Sequence, residues 1–506
     1  MKLQLSDLNS AAWSAKGVKL PHFDIAAMRE KTAAAPEWVH FGSGNIFRGF
    51  IGSIAQSLLN AGLTETGIVA VETFDFDIID MIYKPFDNLA LNVLLGKEPG
   101  IKAEVLAGVA DSVKADEVEK PKAIFANPSL KMLSYTITEK GYAPVEGGAM
   151  SLTADLLYHR YTNGAYPMAV VSMDNCSHNG EKLKNAVVAI ANKRVADGLA
   201  DEGFLDYLEN TVSFPWSMID KITPRPSDSV EQELSGIGVE DMKPIITSKG
   251  TYIAPFVNAE IPQYLVVEDD FPNGRPPLEK AGVYMTTRET VNKAETMKVT
   301  TCLNPLHTAL AVYGCMLGYN RICDEMQDAD LVRLVKGIAS EGMKVVVDPE
   351  IIDPRAFADE VINDRLPNPN IPDMPQRIAT DTSQKVGIRY GETIKSYMKS
   401  EVLDTAELKA VPAAIAGWLR YLLGVDDEGN AFEKSADPLA DKLAALVDGI
   451  KLGDVASTDG KLKPLLSDSD IFGADLYEAG LGEKIEQYFK AMLKGTGAVR
   501  EFLISL

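Results

Sequence analysis

The stretch from Trp38 to Phe50 reads Trp-Val-His-Phe-Gly-Ser-Gly-Asn-Ile-Phe-Arg-Gly-Phe and decides the fold of the first half of the chain. A short apolar run meets Gly42 and Gly44 and then opens into a predicted helix over residues 51–60. Gly42 permits a tight turn, and Gly44 lets the backbone approach a pyrophosphate at the positive end of that helix. This order of strand, turn and helix predicts a dinucleotide-binding α/β domain. A lone Gly-x-Gly is equally consistent with an ordinary turn between a strand and a helix.

Polar residues follow several of the later predicted strands. The second strand, 67–71, leads to Glu72, and further strands are predicted over 103–113, 132–142 and 168–172. Loops at the carboxyl ends of parallel strands face the ligand crevice of an open α/β sheet. The polar residues in these loops are therefore candidates for contact with a cofactor.

Glu72 is the candidate that would decide between two cofactors. An acid at the end of the second strand accepts hydrogen bonds from the adenosine ribose diol and repels a 2′-phosphate, which favours NAD over NADP. Asp75 and Asp77 lie close by in the sequence and could serve instead. A solvated loop acid remains the alternative interpretation of Glu72.

The hydrophobic pattern changes near residue 288. Apolar residues then recur at helical spacing, and helices are predicted over 290–320, 328–346, 355–363, 374–398, 405–424, 436–450 and 482–495. A chain of 506 residues is too long for one hydrophobic core. We therefore predict a Rossmann-like α/β domain over 1–287 and an all-α domain over 288–506.

The first helix of the predicted all-α domain carries several side chains that can take part in acid–base catalysis. Residues 295–307 read Glu-Thr-Met-Lys-Val-Thr-Thr-Cys-Leu-Asn-Pro-Leu-His. Burial lowers the pKa of a lysine, which makes Lys298 a candidate general base. Asn304 can donate its amide to a developing alkoxide, and Glu295 can relay a proton to water. The alternative is structural, with Lys298 reaching the surface and His307 a hydrogen-bonded core histidine.

This stretch resembles the signature of the polyol-specific long-chain dehydrogenases, the mannitol 2-dehydrogenase and fructuronate reductase family. The signature, Glu-x-x-Lys followed by Asn-x-x-His, is matched by Glu295, Lys298, Asn304 and His307. Other phrases similar to those of the family occur in order along the chain, at 42–49, 136–142, 172–180, 214–224, 263–276, 365–369 and 381–385. Their order makes a chance match implausible.

The resemblance implies a role for each matched residue. The residues implied to contact NAD are Gly42, Gly44, Asn45, Phe47, Arg48, Glu72, Thr138 and Glu139. Lys298 is implied as the general acid–base, Asn175 and Asn304 as the amides that hold the substrate oxygen, His307 as an orienting group, and Glu295 as a proton relay. Asp220, Arg365 and Asn368 are implied to position the sugar chain. From the residues alone, Asp174-Asn175 is also ordinary turn chemistry, and Arg365 equally fits a buried structural ion pair.

The spacing between Lys298 and Asn304 departs from the family. Five residues, 299–303, separate them where the family has four, and Pro305 follows the asparagine. At about 100° per residue, the extra residue would turn Lys298 away from Asn304 and His307 on a regular helix. We predict that a π-bulge or a helix break between Lys298 and Pro305 absorbs the insertion.

Composition restricts the partners and the compartment. A net charge of −22 argues against nucleic acid or an anionic membrane surface as a partner. The cysteines, Cys176, Cys302, Cys315 and Cys323, lack metal-binding spacing and are expected to be reduced thiols of a cytoplasmic protein without a metal site. The N-terminal residues contain no signal-peptide core, and no apolar run reaches membrane length.

These observations lead to one functional hypothesis and one alternative. The hypothesis is an NAD-dependent, metal-independent oxidoreductase that interconverts a linear 2-keto sugar or sugar acid and its alcohol. Fructuronate and D-mannonate are the favoured pair, and fructose and mannitol come next, so the expected partner is a small sugar acid or polyol. The alternative is a dinucleotide-binding protein of the same fold that has lost turnover and acts as a sensor. The extra residue and Pro305 would favour that alternative.

Overall fold

The computed structural model of this protein describes residues 1–8, 11–98 and 100–506. The chain forms two compact units, Met1–Asn292 and Lys293–Leu506, which we call the N-terminal unit and the C-terminal unit. The domain boundary after residue 287 stays a prediction.

Parallel strands organise the N-terminal unit. The strands are β1 (Trp38–Phe41), β2 (Ile68–Glu72), β3 (Ala90–Leu95), β4 (Lys102–Leu106), β5 (Val109–Lys114), β6 (Met132–Tyr135), β7 (Met168–Ser172), β8 (Val212–Ser213), β9 (Ser217–Asp220), β10 (Ile245–Ile246), β11 (Tyr252–Ile253), β12 (Phe256–Glu260), β13 (Tyr264–Glu268) and β14 (Tyr284–Thr286). Six of them form one parallel sheet in the order β5-β2-β1-β6-β7-β8. The strand order reverses direction at β1, which is where doubly wound sheets bind ligands. The predicted Rossmann-like fold is confirmed.

Three smaller sheets flank the parallel sheet: β12-β3-β4, β14-β13-β9 and the hairpin β10-β11. The helices of the N-terminal unit are α1 (Ala11–Ala15), α2 (Ile25–Ala34), α3 (Gly52–Asn60), α4 (Glu119–Ala126), α5 (Ala149–Thr162), α6 (Asn179–Ala196), α7 (Gly203–Asn210) and α8 (Asp228–Gly236). A ninth helix, α9 (Arg288–Met297), runs across the division between the two units.

The central strands are short apolar runs that are buried on both faces. Every residue of β1, β2, β6 and β7 is buried. Alternate side chains enter two different hydrophobic clusters: Val69 and Val71 pack into one, and Ile68 and Ala70 into the other. Burial on both faces explains why these strands read as continuous apolar runs.

One predicted strand, 103–113, is wrong because it contains two strands that belong to different sheets. The ladder breaks at Ala107 and Gly108, between β4 and β5. The Gln56 side chain accepts the Ala107 N–H at 2.9 Å and donates to the Val105 carbonyl at 2.8 Å. A side chain from α3 thus satisfies the backbone groups that a continuous strand would pair.

The predicted strand 132–142 ends after Tyr135. Thr138 has a φ of +68°, which is incompatible with a regular strand. The carboxylate of Asp174 accepts the N–H groups of Ile137 and Thr138 at 2.9 and 3.1 Å, in place of a strand partner. Residues Glu139–Tyr142 then form a 3₁₀ turn.

The C-terminal unit is helical, as predicted. Its further helices are α10 (Asn304–Met316), α11 (Ile322–Glu325), α12 (Ala329–Met343), α13 (Pro354–Glu360), α14 (Pro375–Ile378), α15 (Glu392–Lys399), α16 (Ala410–Tyr421), α17 (Ala440–Val447), α18 (Leu462–Leu466), α19 (Ser469–Phe472), α20 (Gly482–Met492) and α21 (Ala498–Ser505). Helices α10 and α16 form the centre of this unit. A Cβ at Gly417 would lie 2.4 Å from the Tyr313 ring, so glycine is needed where the two helices meet.

Two predicted helices of this unit are wrong as continuous elements. The span 290–320 is interrupted by a π-helical turn at Lys298–Cys302. The span 374–398 divides into α14, a 3₁₀ turn, a π-helical turn at Gly387–Gly391 and α15. A Cβ at Gly391 would lie 1.9 Å from the Phe472 carbonyl oxygen, so close backbone packing against α19 accompanies the second π-turn. The periodicity of apolar residues within a helix does not predict such contacts between distant segments.

Glu325 is a buried carboxyl group at the end of α11. Its side chain is 0% exposed, and within the described chain neither carboxyl oxygen has a hydrogen-bond partner. The group lies against α10, because a Cβ at Gly314 would come within 2.0 Å of its Oε1. Burial, and secondarily the charge of Asp373, raises the pKa of Glu325 to about 10. The side chain is therefore a neutral acid at pH 7.

Replacing Glu325 by glutamine is expected to raise the free energy of unfolding at neutral pH and to flatten its dependence on pH. The folded protein keeps the proton up to about pH 10, whereas the unfolded chain releases it near pH 4.5. Between these values each pH unit lowers the free energy of unfolding by about 1.4 kcal/mol, and an amide removes this contribution. Urea unfolding at pH 5, 7 and 9 measures the slope. The exposed Glu401→Gln is the control, and equal slopes in wild type and Glu325→Gln would refute the neutral acid.

Candidate active site

The loop after β1 begins at a glycine that the backbone requires. Gly42 has a φ of +101°, and a Cβ there would lie 2.3 Å from the Thr136 carbonyl oxygen. Its N–H donates to the Val71 carbonyl at 3.0 Å. The tight turn predicted from the sequence is therefore hydrogen-bonded to β2 and lies against the backbone that follows β6.

The next residues of this loop leave room for a ligand. A Cβ at Gly44 would meet no atom within 4 Å, so the backbone there faces open space. Ser43 Oγ and Asn45 Oδ1 are buried and have no hydrogen-bond partner in the described chain. A dinucleotide offers acceptors to a serine hydroxyl and hydroxyl donors to an amide oxygen. The open backbone and the two unpaired atoms fit the pyrophosphate and ribose of such a cofactor.

Glu72 ties this loop to the loop after β2. One of its carboxylate oxygens accepts the Ser43 N–H at 2.9 Å. The other accepts the N–H groups of Phe74 and Asp75 at 2.9 and 3.1 Å. The acid thus orders the backbone on both sides of the expected ribose site. Its contact with the ribose diol stays a prediction.

Asp75 and Asp77, the alternatives to Glu72, bind the hairpin β10-β11 and the turn within it. Asp75 Oδ2 accepts the hydroxyl groups of Thr247 and Thr251 at 2.6 and 2.5 Å. The backbone N–H of Ser248 donates to Asp77 at 2.7 Å and lowers the pKa of that carboxyl group. Both acids therefore have a structural task of their own in the N-terminal unit.

A cavity of about 260 Å³ opens at the carboxyl edge of the sheet. It is lined by the loops after β2 and β5 and by the start of α5, with Thr73, Phe76, Ala115, Asp116, Gly147, Gly148, Ala149 and Leu152. Small and apolar residues dominate this lining. The position and the lining of the cavity suit a flat aromatic base. The sequence did not predict these lining residues because they come from three separate loops.

Phe47 and Arg48, which the resemblance assigns to the cofactor, lie inside the N-terminal unit. Phe47 is 0% exposed and stacks on the His40 ring at 4.2 Å between centroids. The Arg48 guanidinium donates to the carbonyls of Ala254 and Pro255 at 2.8 and 2.7 Å. Burial lowers its pKa to about 10. In the described contacts both side chains brace the glycine loop, and direct contact with a cofactor stays a prediction.

Thr138 and Glu139 follow β6, as predicted. Thr138 is fixed by its N–H bond to Asp174, whose pKa burial raises. Glu139 is exposed and pairs with Lys182 at 2.5 Å. Asp174, which follows β7, thus holds this loop in place. The roles of Thr138 and Glu139 towards a cofactor stay predictions.

The two substrate residues predicted in the N-terminal unit lie near the ends of β7 and β9. Asn175 is exposed in the loop after β7, and Asp220 is the last residue of β9 and is buried. Near them, Trp216 stacks on the His178 ring at 4.5 Å, and the Arg288 guanidinium lies 5.3 Å from the Trp216 ring centre. No local pattern in the sequence predicts this stack.

In the C-terminal unit, Lys298 begins the π-helical turn Lys298–Cys302 and is 3% exposed. The N–H of Leu303 donates to the Lys298 carbonyl at 3.2 Å, which spans five residues. Leu303 then leaves helical geometry, with φ −131° and ψ −62°. The prediction that a π-bulge or a break absorbs the inserted residue is confirmed, since both occur.

Pro305 causes less disruption than its sequence position suggested. Helix α10 begins at Asn304, so Pro305 lies in the first turn, where an N–H would have no partner within the helix. The Tyr390 hydroxyl donates to the Pro305 carbonyl at 2.9 Å. The Thr308 hydroxyl donates to the Asn304 carbonyl at 2.9 Å. The turn that carries Asn304 and His307 is thus fastened on two sides.

His307 is held by an acid that the sequence did not single out. Its Nε2 lies 2.6 Å from Asp373 Oδ2, a close contact without the geometry of an aligned hydrogen bond. Arg377 Nη2 lies 2.6 Å from the other oxygen of Asp373. Burial would raise the pKa of Asp373, but the contacts with His307 and Arg377 outweigh it and hold the pKa below its usual range.

Glu295, Arg365 and Asn368 are the other residues of this unit that the sequence predicts to act in the site. Glu295 is partly exposed in the last turns of α9, before Lys298. Arg365 ends the π-helical turn Val361–Arg365 and is 6% exposed. The Asn368 N–H donates to the Arg365 carbonyl at 3.2 Å, and Asn368 Oδ1 accepts the Asn370 N–H at 3.0 Å. The structure therefore buries Arg365 and Asn368 beside each other.

Two functional candidates, Asp373 and Arg389, belong to no motif that the sequence singles out. Asp373 carried no local signal beyond its spacing of four residues from Arg377. Arg389 lies four residues after Lys385, which on a helix predicts a shared face. The Arg389 guanidinium donates to Thr308 Oγ1, next to His307.

Comparisons with known proteins agree with this arrangement. Residues 36–280 match the family model of the mannitol dehydrogenase Rossmann domain, and residues 290–493 match that of the mannitol dehydrogenase C-terminal domain. A D-mannonate oxidoreductase of Thermotoga maritima is 52% identical over 97% of this chain and 96% of its own length. A mannitol 2-dehydrogenase of Phaeosphaeria nodorum is 28% identical over 80% of this chain and 72% of its own length.

Solved structures share the fold. The ternary complex of Pseudomonas fluorescens mannitol 2-dehydrogenase with NAD and D-mannitol has a TM-score of 0.72 at 24% identity and covers 100% of this chain and 99% of its own. A substrate-free D-sorbitol dehydrogenase has a TM-score of 0.79 at 24% identity and covers 96% of this chain and 99% of its own. Since the matched domains span most of the sequence in the expected order, the chain belongs to the mannitol dehydrogenase family.

Proposed function

We propose that this protein is an NAD-dependent oxidoreductase that interconverts a linear 2-keto sugar acid and its alcohol, with fructuronate and D-mannonate as the favoured pair. The observation that carries this proposal is the 52% identity, over nearly the whole chain, to a protein named D-mannonate oxidoreductase. Fructose and mannitol are the second pair, because more distant relatives are named mannitol 2-dehydrogenase.

The N-terminal unit offers residues that would hold NAD. The Gly42 turn and the open backbone at Gly44 would receive the pyrophosphate, with Ser43 and Asn45 donating and accepting hydrogen bonds. The cavity at the carboxyl edge would take the adenine, and Glu72 would face its ribose. When bound, the nicotinamide accepts or returns a hydride at the reacting carbon. The fold neighbour from Pseudomonas fluorescens, which was solved with NAD, supports this choice.

Acid–base chemistry would come from the C-terminal unit. Lys298 is buried and would take the proton from the carbinol, or return it in the reducing direction. Asn304 would donate its amide to the same oxygen as negative charge develops. His307, held by Asp373, would orient the substrate, and the partly exposed Glu295 would relay the proton to water. A lysine and fixed amides would supply this catalysis without a metal ion.

Four further polar residues would position the sugar chain. We assign Asn175 as the second amide on the substrate oxygen and Asp220 as an acceptor for a sugar hydroxyl. Arg365 and Asn368 would bind the chain from the C-terminal unit. A polyhydroxylated substrate needs several such groups to fix its orientation.

The sensor alternative rests on the extra residue and on Pro305. The π-helical turn accommodates the extra residue, and the start of α10 accommodates Pro305. Relatives at 52% and 30% identity are named as oxidoreductases, which gives the sensor no support. Within the described chain no helix is long and apolar enough to cross a membrane. A cytoplasmic location and the absence of nucleic-acid partners stay predictions.

The substrate proposal predicts NADH oxidation in the presence of fructuronate. The panel contains fructuronate, tagaturonate, fructose and fructose 6-phosphate. Loss of the proposed general acid in Lys298→Ala is expected to lower kcat by roughly 100- to 10,000-fold. Lys336→Ala, which removes an exposed lysine of the same unit, is the matched control and should keep full activity. Binding of NADH without turnover of any member of the panel would revive the sensor.

The cofactor loop predicts a selective effect of Gly44→Ala. The added methyl group has space in the folded protein and should leave the melting temperature unchanged. It would project towards the pyrophosphate and weaken NADH binding roughly tenfold or more. Fluorescence titration with NADH measures the affinity, and thermal unfolding serves as the control for folding. An unchanged Kd would place the pyrophosphate elsewhere.

The His307–Asp373 pair predicts a pH-dependent effect of Asp373→Asn. The folded state holds the pKa of Asp373 below its usual range, so this carboxylate stabilises the protein above about pH 4 and loses that contribution as the pH falls. The variant should lose about 1 to 3 kcal/mol of unfolding free energy at pH 7 and less at pH 3.5. It should also raise KM, because His307 would lose its support. Equal losses at both pH values would contradict the role of the charge.

A further inference from the structure

Arg389 is a largely buried cation on the π-helical turn Gly387–Gly391. A Cβ at Gly387 would lie 2.7 Å from the Ile471 carbonyl oxygen, and one at Gly391 would lie 1.9 Å from that of Phe472. The two glycines let this turn press directly against the backbone of α19. The position of Arg389 is therefore set by backbone packing on the opposite side of its turn.

In the part of the chain that the structure describes, no carboxylate pairs with Arg389. Its guanidinium donates to Thr308 Oγ1. Burial lowers the pKa of Arg389 to about 10, which leaves the group charged at neutral pH. A buried charge is costly unless an opposite charge or several hydrogen bonds compensate it. An arginine can offer such a partner several N–H donors in a planar fork.

A second cation, Lys385, lies near Arg389. Burial and the charge of Arg389 lower the pKa of Lys385, and its Nζ donates to backbone carbonyls, including that of Ile378 at 3.5 Å. Asp381 and Asp437 raise that pKa and offset only part of the effect. Lys385 is therefore a second cation close to Arg389, with Asp381 and Asp437 as the acids near it.

Arg389 is joined to the turn of α10 that carries the proposed oxygen-binding amide. It donates to Thr308 Oγ1, and the Thr308 hydroxyl donates to the Asn304 carbonyl at 2.9 Å. The neighbouring Tyr390 hydroxyl donates to the Pro305 carbonyl at 2.9 Å. The π-turn Gly387–Gly391 and the first turn of α10 thus form one connected assembly.

The spacing within this assembly matches the length of a sugar acid. Residues four apart on a helix, such as Asn304 and Thr308, have Cβ atoms about 5 to 6 Å apart. In fructuronate, four C–C bonds of about 1.5 Å separate the reacting carbonyl carbon from the carboxylate carbon, which gives about 5 Å when extended. A substrate whose carbonyl oxygen meets Asn304 can therefore bring its carboxylate to the region of Thr308 and Arg389.

We propose that Arg389 binds the carboxylate of the substrate and thereby selects sugar acids over neutral polyols. This inference rests on the function proposed above and identifies the residue that would decide between its two substrate pairs. A carboxylate can accept two parallel hydrogen bonds from the guanidinium and compensate its charge. A polyol hydroxymethyl group at the same place leaves the buried charge uncompensated.

The test compares fructuronate with fructose in wild type, Arg389→Gln and Arg389→Lys, with NADH as reductant. Arg389→Gln is expected to raise KM for fructuronate roughly 10- to 100-fold and to change KM for fructose far less. Arg389→Lys keeps the charge but not the fork, and should restore part of the affinity. The exposed Arg355→Gln is the matched control and should behave as wild type. NADH affinity should be unchanged throughout.

A second measurement does not depend on turnover. D-Mannonate is expected to raise the melting temperature of the wild-type protein with NAD more than D-mannitol does, and Arg389→Gln should abolish this difference. If Arg389→Gln does not fold, the comparison is made with Arg389→Lys, which should reduce the difference. Equal losses for fructuronate and fructose, or no loss for either, would overturn the role of Arg389 while leaving the proposed function intact. Failure of the wild type to reduce any member of the panel would overturn the proposed function and this inference together.

Discussion

The backbone between Lys298 and Asn304 contains one residue more than the family pattern, and the positions of Asn304 and His307 depend on how that residue is absorbed. The helix widens into a π-turn, breaks at Leu303 and restarts at Asn304. The restart places Pro305 where its missing N–H costs nothing. Contacts from distant segments hold the result: Tyr390 donates to the Pro305 carbonyl, and a Cβ at Gly342 would lie 3.0 Å from the Thr301 side chain. Single π-turns of this kind are frequently found at functional sites.

Buried charge is managed in three different ways in the C-terminal unit. Glu325 becomes neutral because, among the described residues, no hydrogen-bond donor reaches its carboxyl oxygens to offset their desolvation. Asp373 stays ionised because His307 and Arg377 contact both of its oxygens. Arg389 can neither lose its proton at neutral pH nor find an acid in the described chain. The same low dielectric therefore produces a structural acid, a support for a histidine and a cation suited to an anionic ligand.

In the N-terminal unit, the side chains of Glu72, Asp174 and Gln56 position backbone loops. Glu72 binds N–H groups in two loops, Asp174 binds those of Ile137 and Thr138, and Gln56 closes the gap between β4 and β5. Phe47 and Arg48 support the glycine loop from within the core. The motif thus predicted which residues belong to this region, but the direction of each side chain depended on partners far away in the sequence.

The sequence by itself determined the two-part organisation, the α/β and all-α classes, the glycine turn and the position of the Glu-x-x-Lys and Asn-x-x-His residues. These properties follow from local periodicity, turn chemistry and a family signature, which are all encoded over short stretches. Even the need for a π-bulge or a break could be predicted, because helix geometry permits few ways to absorb one residue. Only the tertiary structure decided that Asp373 holds His307, that Glu325 is a neutral acid, and that Arg389 joins the turn of Asn304. Each of these depends on which distant segments pack together and on how much water their contact excludes, and neither quantity can be read from a local pattern.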